Sequence, residues 1–491
     1  MSVYFISRHP GARQWLAEEG IAVDEHLAHL EPGRLAPGDL VIGNLGIQQV
    51  AALQARGVRY QHLCLDLEPE ERGVELTPAE MRARGARLEA YEVRSLAPAA
   101  PLAEDAPRLF IGVVTGQQVA NLPPILELAE PGDKVLWLES ELARERDWSA
   151  GGDRILERAG LDVVGTVLVE DLNDPVAVAR QVREAVARYP DHQLYVVGNG
   201  GQKLSPVGIM DGCRDRDPVL VYGDNQPIRL RVFPRGLKAS PEQRIYTRHG
   251  LDLREILAMR GYRFMKDTRP ERIWPGNGPA LEENSDYGED PEVTARMHRE
   301  HDQWHRENPD VDPKKMPAEL GHLGDAFEQA AARRLHGWLQ RWSPAAQALQ
   351  AVYKDVHICK EKNPGEEVAQ WDIVLVLRNG ILLYIECKSF TFGKKDLDAR
   401  WLNLQQASSQ LARMVVCAPV YGRFQEENWF RRAGGLRDAI GRLGRLSTGF
   451  GFLPFDLPGE PQAVDWRAER GSKTFPVFED ALKDLLKSYV P

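Results

Sequence analysis

Between residues 108 and 240, five short apolar runs, RLFIGVV, DKVLWLE, VVGTVLVE, HQLYVVG and PVLVYG, alternate with amphipathic stretches such as DPVAVARQVREAVARYP. Runs that are apolar at nearly every position are the mark of strands buried on both faces, and parallel strands of that kind need covering helices between them. The pattern predicts a doubly wound, Rossmann-like domain over 108–240. The chain has 491 residues, and at roughly 150 residues per domain it has room for about three.

The flanking segments fill in the other two. In 1–95 the runs VYFISR, GDLVIG and RYQHLCLDL predict strands, and ARQWLAEEG, IQQVAALQARG and TPAEMRARGARLEAY predict helices, giving a small α/β domain. Segment 96–107, LAPAAPLAEDAP, places prolines among small and acidic residues and reads as a linker. A stretch rich in Pro, Gly and charge, 269–319, reads as a connector with at most one short helix, so 241–318 is assigned as a connector region and 319–491 as the third domain. The expected fold class is therefore multidomain α/β.

The net charge is −10, which discourages loose binding of a polyanion over the whole surface. The excess acid is unevenly placed: 1–107 holds 10 basic and 16 acidic residues and 108–240 holds 16 and 19, whereas the remainder is balanced at 36 and 37. A nucleic-acid site is electrostatically least unsuited to the C-terminal part. No apolar run approaches the roughly 18 residues of a spanning helix, so no membrane association is expected. The N-terminus has neither a basic region nor a small-residue cleavage site, and Cys64, Cys213, Cys359, Cys387 and Cys417 form no CxxC pair. A cytoplasmic location and no cysteine-rich zinc site are the expectation.

Two loops of the central domain carry chemistry. Thr115-Gly116-Gln117 follows the first strand, and Asn199-Gly200-Gly201-Gln202-Lys203 follows the fourth. Glycines let a phosphate approach backbone N–H groups, Lys203 adds charge, and amide or hydroxyl groups read ribose and base edges. No GxGxxG joins the first strand to its helix, which disfavours a nicotinamide site. The strand-TGQQ and strand-NGGQKL segments resemble the signature loops of CARF domains, the sensors of type III CRISPR systems. The resemblance implies a Rossmann-like homodimer that binds cyclic oligoadenylate, commonly cyclic tetra-adenylate. It assigns Thr115, Gly116, Gln117, Asn199, Gly200, Gly201, Gln202 and Lys203 to the ligand.

The densest constellation is WDIVLVL-RNG-ILLYIECK, residues 371–388. Two apolar strands around Asn-Gly predict a hairpin, and a three-residue loop with Gly380 left-handed sets Leu377 against Ile381 and Asp372 against Glu386. Alternation then puts Glu386 and Lys388 on one face with Asp372. Carboxylates there are costly unless they are paired or bind a cation, and Mg²⁺ or Mn²⁺ suits oxygen donors and phosphate. The spacing D-x13-E-x-K is the PD-(D/E)xK nuclease pattern, whose further acid from a preceding helix is met by Glu328. An isolated ExK would ordinarily be a surface ion pair. Gln405, on the following helix, is a candidate helper residue. Arg423, Arg431, Arg432, Arg437, Arg442 and Arg445, with Trp429 and Phe430 among them, suit phosphate tracking and base stacking or simply a solvated basic face. His298, His301 and His305 have i, i+3, i+7 spacing, for which a polar helix face competes with a metal site.

A CARF domain followed by this pattern resembles the messenger-activated ancillary nucleases of type III CRISPR defence, homodimers that cut nucleic acid with divalent metal. The resemblance gives catalytic roles to Glu328, Asp372, Glu386 and Lys388, the three carboxylates also serving as metal ligands. DNA and RNA are both admitted as substrate.

Residues 1–95 resemble a small family of CRISPR-associated proteins proposed as ring nucleases, through SRHPGA, PGDLVIG and LDL-x4-RG. That resemblance implies metal-independent opening of cyclic oligoadenylate, which would then be substrate as well as activator. Arg8 would stabilise phosphate charge, His9 move a proton and Ser7 hydrogen-bond phosphate or ribose. The expectation is a nuclease that limits itself. Two alternatives stay open: 1–95 only binds the messenger, or the C-terminal domain is a noncatalytic nucleic-acid-binding module.

Overall fold

The computed structural model describes residues 2–68, 74–93, 106–234, 237, 239–248, 250–280, 286–311, 317, 323–389, 394–420, 450–457, 459–462, 465 and 474–491. The chain is a mixed α/β protein with three mixed sheets, and it divides into two compact units, Met1–Pro101 and Leu102–Pro491. Most of the expected linker, and the arginine cluster with Trp429 and Phe430, lie outside the described residues.

The first unit is a five-stranded sheet in the order β2-β1-β3-β4-β5, formed by β1 (Val3–Ile6), β2 (Glu25–Leu27), β3 (Leu40–Gly43), β4 (Arg59–Cys64) and β5 (Arg87–Ala90). The first four are parallel and β5 runs antiparallel to β4. Helices cover both faces, with Val41, Val50 and Leu53 on one side and Phe5, Trp15 and Met81 on the other. The sequence reading of TPAEMRARGARLEAY as one helix needs correction. A helix forms only over Pro78–Ala83, capped by Thr77; Gly85 then turns left-handed at φ +65°, and RLEA becomes the edge strand β5. Strand β2 was not foreseen.

The second unit begins with the expected doubly wound sheet. Strands β6 (Arg108–Val113), β7 (Lys134–Glu139), β8 (Asp162–Leu168), β9 (Gln193–Val197) and β10 (Val219–Asn225) are parallel, and β11 (Ile228–Phe233) and β12 (Glu242–Arg244) extend it antiparallel. The order is β12-β11-β10-β9-β6-β7-β8. The chain therefore reverses direction across the sheet between β6 and β9. One face packs Ile111 and Leu138 against Val178, Val182 and Ile209 of the covering helices.

The expectation of a connector over 241–318 is corrected. Strands β13 (Tyr262–Phe264) and β14 (Glu271–Trp274) are edge strands pairing with β15 (Leu349–Lys360), and Pro291–Glu307 is a 17-residue helix capped by Asp290. Strand β15 leads the third sheet through β16 (Asn363–Leu377), β17 (Leu382–Cys387), β18 (Arg413–Pro419) and β19 (Phe450–Phe455). The helix Leu323–Arg341 packs on this sheet with Phe327, Ala331, Leu335 and Trp338 buried at helical spacing. A single hydrophobic core joins the other face of the central sheet to the third sheet: it runs from Phe110 and Trp137 through Leu253 and Ile256 to Trp371, Tyr384 and Tyr489. The backbone continues the same junction, since Ile228 N–H donates to Tyr489 O at 2.9 Å.

Candidate functional site

Three candidate sites result. In the first unit, the chain reverses direction between β1 and β3, and open sheets bind ligands at the strand ends beside such a reversal. A cavity of about 440 Å³ lies there, within the size range of small-ligand sites. It is lined by Ser7, Arg8 and His9 after β1, by Asn44 after β3, and by His29 and Gln49. His9 is held by Glu75 (Nδ1 to Oε2, 2.8 Å), and Glu75 also accepts from Gly11 N–H at 2.8 Å. Those two contacts keep the Glu75 carboxyl below its usual range. Arg8 makes no hydrogen bond or ion pair among the described residues, so its guanidinium is available to an anion. Sequence reasoning found the SRH corner but missed His29, Asn44 and Gln49. Nothing local ties them to it, and the reversal of strand order brings them there.

In the second unit the expected loops both fall at the β6/β9 reversal. Thr115 Oγ accepts from Gln117 N–H at 3.0 Å and shapes the first loop. The second loop rests on buried Asn121, which donates to Val113 O at 2.7 Å; Gly200 lies so close above it that a Cβ would meet the amide at 2.3 Å. Asn121 Oδ1 and the neighbouring Gln118 Nε2 are buried with no hydrogen-bond partner among the described residues. Asn199 has a different place from its neighbours: its amide donates to Gly223 O at 2.8 Å and accepts from Gly223 N–H at 2.7 Å. It braces β9 against β10. Gly201, Gln202 and Lys203 are exposed ahead of the helix Ser205–Cys213.

The third site is in the third sheet. Gly380 is left-handed at φ +78°, and Leu377 N–H donates to Ile381 O at 2.9 Å. The β16–β17 register, with Ile373 opposite Ile385, sets Asp372 against Glu386. Asp372 Oδ2 accepts from Cys387 N–H at 2.6 Å. Glu386 is fully buried, is paired with Lys388, and accepts from the Tyr384 hydroxyl. Glu328 comes from the helix Leu323–Arg341. Burial and repulsion by Asp372 push its carboxyl up to about 9 against the pull of Lys354. Glu386 is pushed up to about 7 by burial and Asp372, with Lys388 and Arg400 opposing. Burial also raises Asp372.

The helix Lys394–Ala407 turns Arg400 into this site. Its Nε lies 3.0 Å from Glu386 Oε1, and its Nη1 donates to Gln370 O at 2.7 Å and Tyr384 Oη at 3.3 Å. Among the described side chains of this helix, Arg400 and not the expected Gln405 meets the carboxylates. Lys354 and Asp355, on β15, were also missed. Asp355 is left-handed at φ +52° and bonds His357 Nε2 at 2.8 Å.

Buried Asp372 and Glu386 with half-buried Glu328, the two glutamates each repelled by Asp372, suit a hard divalent cation, which would relieve that repulsion. In this structure Glu386 is instead engaged by Lys388, Arg400 and Tyr384. Among the described residues no three His, Cys, Asp or Glu side chains are arranged to hold an ion. His298 is buried against the Tyr287 hydroxyl at 2.9 Å, and burial pushes its imidazole down to about 3. The His305 side chain lies outside the described residues.

The raised carboxyls have a measurable consequence. Below the ordinary glutamate value of 4.5 both folded and unfolded states are protonated; above it the unfolded chain ionises first, so stability falls until the folded Glu328 value of about 9 is passed. The melting temperature of metal-free protein is expected to fall between about pH 5 and pH 9, less so in Glu328→Gln, and added Mn²⁺ should oppose the fall. A melting temperature in wild type that is flat or rises across that window would contradict the assignment.

Comparison with known proteins adds the following. Residues 4–94 match the CRISPR-associated protein family Cas_VVA1548. No curated protein matches the chain in sequence. Among solved structures, protein VC1899 from Vibrio cholerae is similar at 11% identity, over 71% of this chain and 94% of that one, with a TM-score of 0.48. Can2 from Sulfobacillus thermosulfidooxidans, in complex with cyclic tetra-adenylate, is similar at 15% identity over 70% of this chain and 95% of its own, with a TM-score of 0.45. A type III CRISPR defence DNA nuclease activated by cyclic oligoadenylate covers 99% of this chain and 98% of its own at 15% identity, with a TM-score of 0.44. No described helix is long and apolar enough to cross a membrane.

Proposed function

We propose that this chain is a nuclease of type III CRISPR defence, activated by cyclic oligoadenylate, most simply cyclic tetra-adenylate, and limited by its own N-terminal ring nuclease. The observation that carries the nuclease reading is the opposition of Asp372 and Glu386 across one hairpin, with Lys388 and Glu328 beside them. The family match of residues 4–94 supports the placement in CRISPR biology. The five free cysteines support a reducing, cytoplasmic setting. The CARF resemblance of the two loops supports a homodimer that shares the messenger.

In the nuclease site, Glu328, Asp372 and Glu386 are the residues that would hold Mg²⁺ or Mn²⁺, and the ion would supply Lewis-acid activation of phosphate and water. Lys388, partly exposed at the rim, orients the attacking water and offsets charge gathering on the phosphate. The apolar strands beneath keep these groups fixed. In the sensor, Gly200 and Gly201 admit phosphate to the backbone, and Lys203 supplies the cation. In the N-terminal cavity Arg8 steadies the scissile phosphate, Ser7 hydrogen-bonds it, and His9, oriented by Glu75, moves the ribose 2′-OH proton during in-line attack. DNA and RNA are both within reach of this chemistry.

The test is a time course with limiting cyclic tetra-adenylate and Mn²⁺, following messenger and nucleic acid together. Nucleic-acid cleavage should start with the messenger and stop as the messenger is opened. No cleavage of DNA or RNA at any messenger level would overturn the proposal.

A further inference from the structure

The candidate sensor and the carboxylate cluster are joined by one helix. Lys394–Ala407 carries Arg400 against Glu386 at one end of its described contacts, and at the other end Gln406 O accepts from Arg260 Nε at 3.1 Å. Arg260 is half-buried, and its Nη1 donates to the carbonyl of Gly116 in the sensor loop. A second strand of the same connection lies alongside, where Gln410 N–H donates to Gln117 Oε1 at 3.1 Å. Thr115, Gly116, Gln118, Arg260 and Ser408 enclose a small hollow at the junction. From Arg400 to Gln406 is six residues of α-helix, about 9 Å at 1.5 Å per residue. A helix of that length moves as a rigid body, so a shift at its C-terminal end is felt at Arg400.

The arrangement at the carboxylates gives such a shift something to do. Glu386 is needed as an oxygen donor to a cation, yet Arg400 and Lys388 already neutralise it, and Arg400 is further anchored to Gln370 O and Tyr384 Oη. A second positive charge held on the same carboxylate excludes a divalent ion by Coulomb repulsion. Lys388 belongs to the strand end and stays with the site. Arg400 is the one that arrives on a separate element.

We infer that Arg400 is an autoinhibitory latch on Glu386, and that Arg260 couples it to the Thr115–Gln117 loop, so that messenger binding withdraws Arg400 and opens the carboxylates to metal. This rests on the functional reading above for both sites. Arg260 holds two carbonyls, Gly116 and Gln406, which belong to the two sides of the junction. When the loop closes on an anionic ligand, Gly116 O turns with it and Arg260 draws the helix end along. The ligand thereby favours the unlatched state by its better fit there, which is the requirement for any such switch.

The test reads metal directly. Mn²⁺ affinity of the full-length protein is measured by electron paramagnetic resonance without nucleic acid, with and without cyclic tetra-adenylate, and messenger binding is titrated in parallel. Wild type is expected to bind Mn²⁺ about tenfold more tightly with messenger present. In Arg400→Gln the tight binding should appear without messenger, which then adds less than about threefold. Arg260→Gln should bind messenger yet lose the metal response; Arg260→Lys, able to keep one of the two bonds, should respond in part and guards against a variant that misfolds. A wild-type protein whose nucleic-acid cleavage is switched on by messenger while its Mn²⁺ affinity is unchanged would overturn the latch and leave the functional reading standing. A wild-type protein that fails to bind the messenger would overturn both.

Discussion

Replacing Glu386 by Gln is expected to lower nucleic-acid cleavage by about a thousandfold or more, because it removes a charged donor from a site whose chemistry depends on concentrated negative charge around a cation. The substitution preserves shape in a fully buried position, and the Tyr384 hydroxyl keeps an acceptor. Lys388 and Arg400 lose their partner but are only partly buried, so water can take over much of their solvation. Stability should therefore change little, and loss of activity with an unchanged melt identifies chemistry and not misfolding. Lys388→Met is the necessary companion. It should reduce cleavage by about a hundredfold while leaving Mn²⁺ binding intact, since Lys388 is assigned to water and phosphate and not to the ion. Full cleavage by either variant would favour the alternative in which this sheet only binds nucleic acid.

The second large effect is expected in the N-terminal unit. Arg8→Ala combined with His9→Ala should slow opening of cyclic tetra-adenylate by about 10²–10⁴-fold, the range of a lost acid–base group together with a lost charge stabiliser. Both side chains are exposed at the cavity, so the double variant should fold normally. Its consequence should reach the other unit, since nucleic-acid cleavage started by a limiting dose of messenger should persist long after wild type has fallen silent. Chromatography of the messenger over time gives the primary readout. Undiminished opening in the double variant would remove these residues from the reaction and direct attention to the sensor loops, leaving 1–95 as a binding module.

How far the sequence reached differs from element to element. The hairpin register was legible because Asn-Gly admits few turn geometries and alternation then fixes every facing pair, so Asp372 and Glu386 could be placed opposite each other before any coordinate was known. Glu328 was legible from its position in an amphipathic helix. Arg400 was not, because the face that Lys394–Ala407 turns toward β17 depends on tertiary docking. Gln405, five positions on, stands roughly 140° further around the helix at about 100° per residue. Strands β13 and β14 were invisible for a related reason. Three or four residues carry no periodicity of their own, and they are strands because β15 offers them an open edge. Strand β5 did announce itself, through Gly85, but the amphipathic pattern on either side of that glycine outweighed the signal.

The core that runs unbroken from Phe110 to Tyr489 bears on how such a protein can be assembled from parts. The first unit has apolar faces of its own and is self-sufficient as a module. The central and third sheets are not interchangeable in that way: a chain cut between them would leave Trp137, Leu253 and Ile256 on one side and Trp371 and Tyr384 on the other without the neighbours that keep them dry. Recombination can add or exchange the N-terminal unit at little cost in foldability. The other two parts can diversify only together, each accepting substitutions that the other tolerates. Their partnership is thus inherited as a single object, and any signal passed between them would cross no solvent.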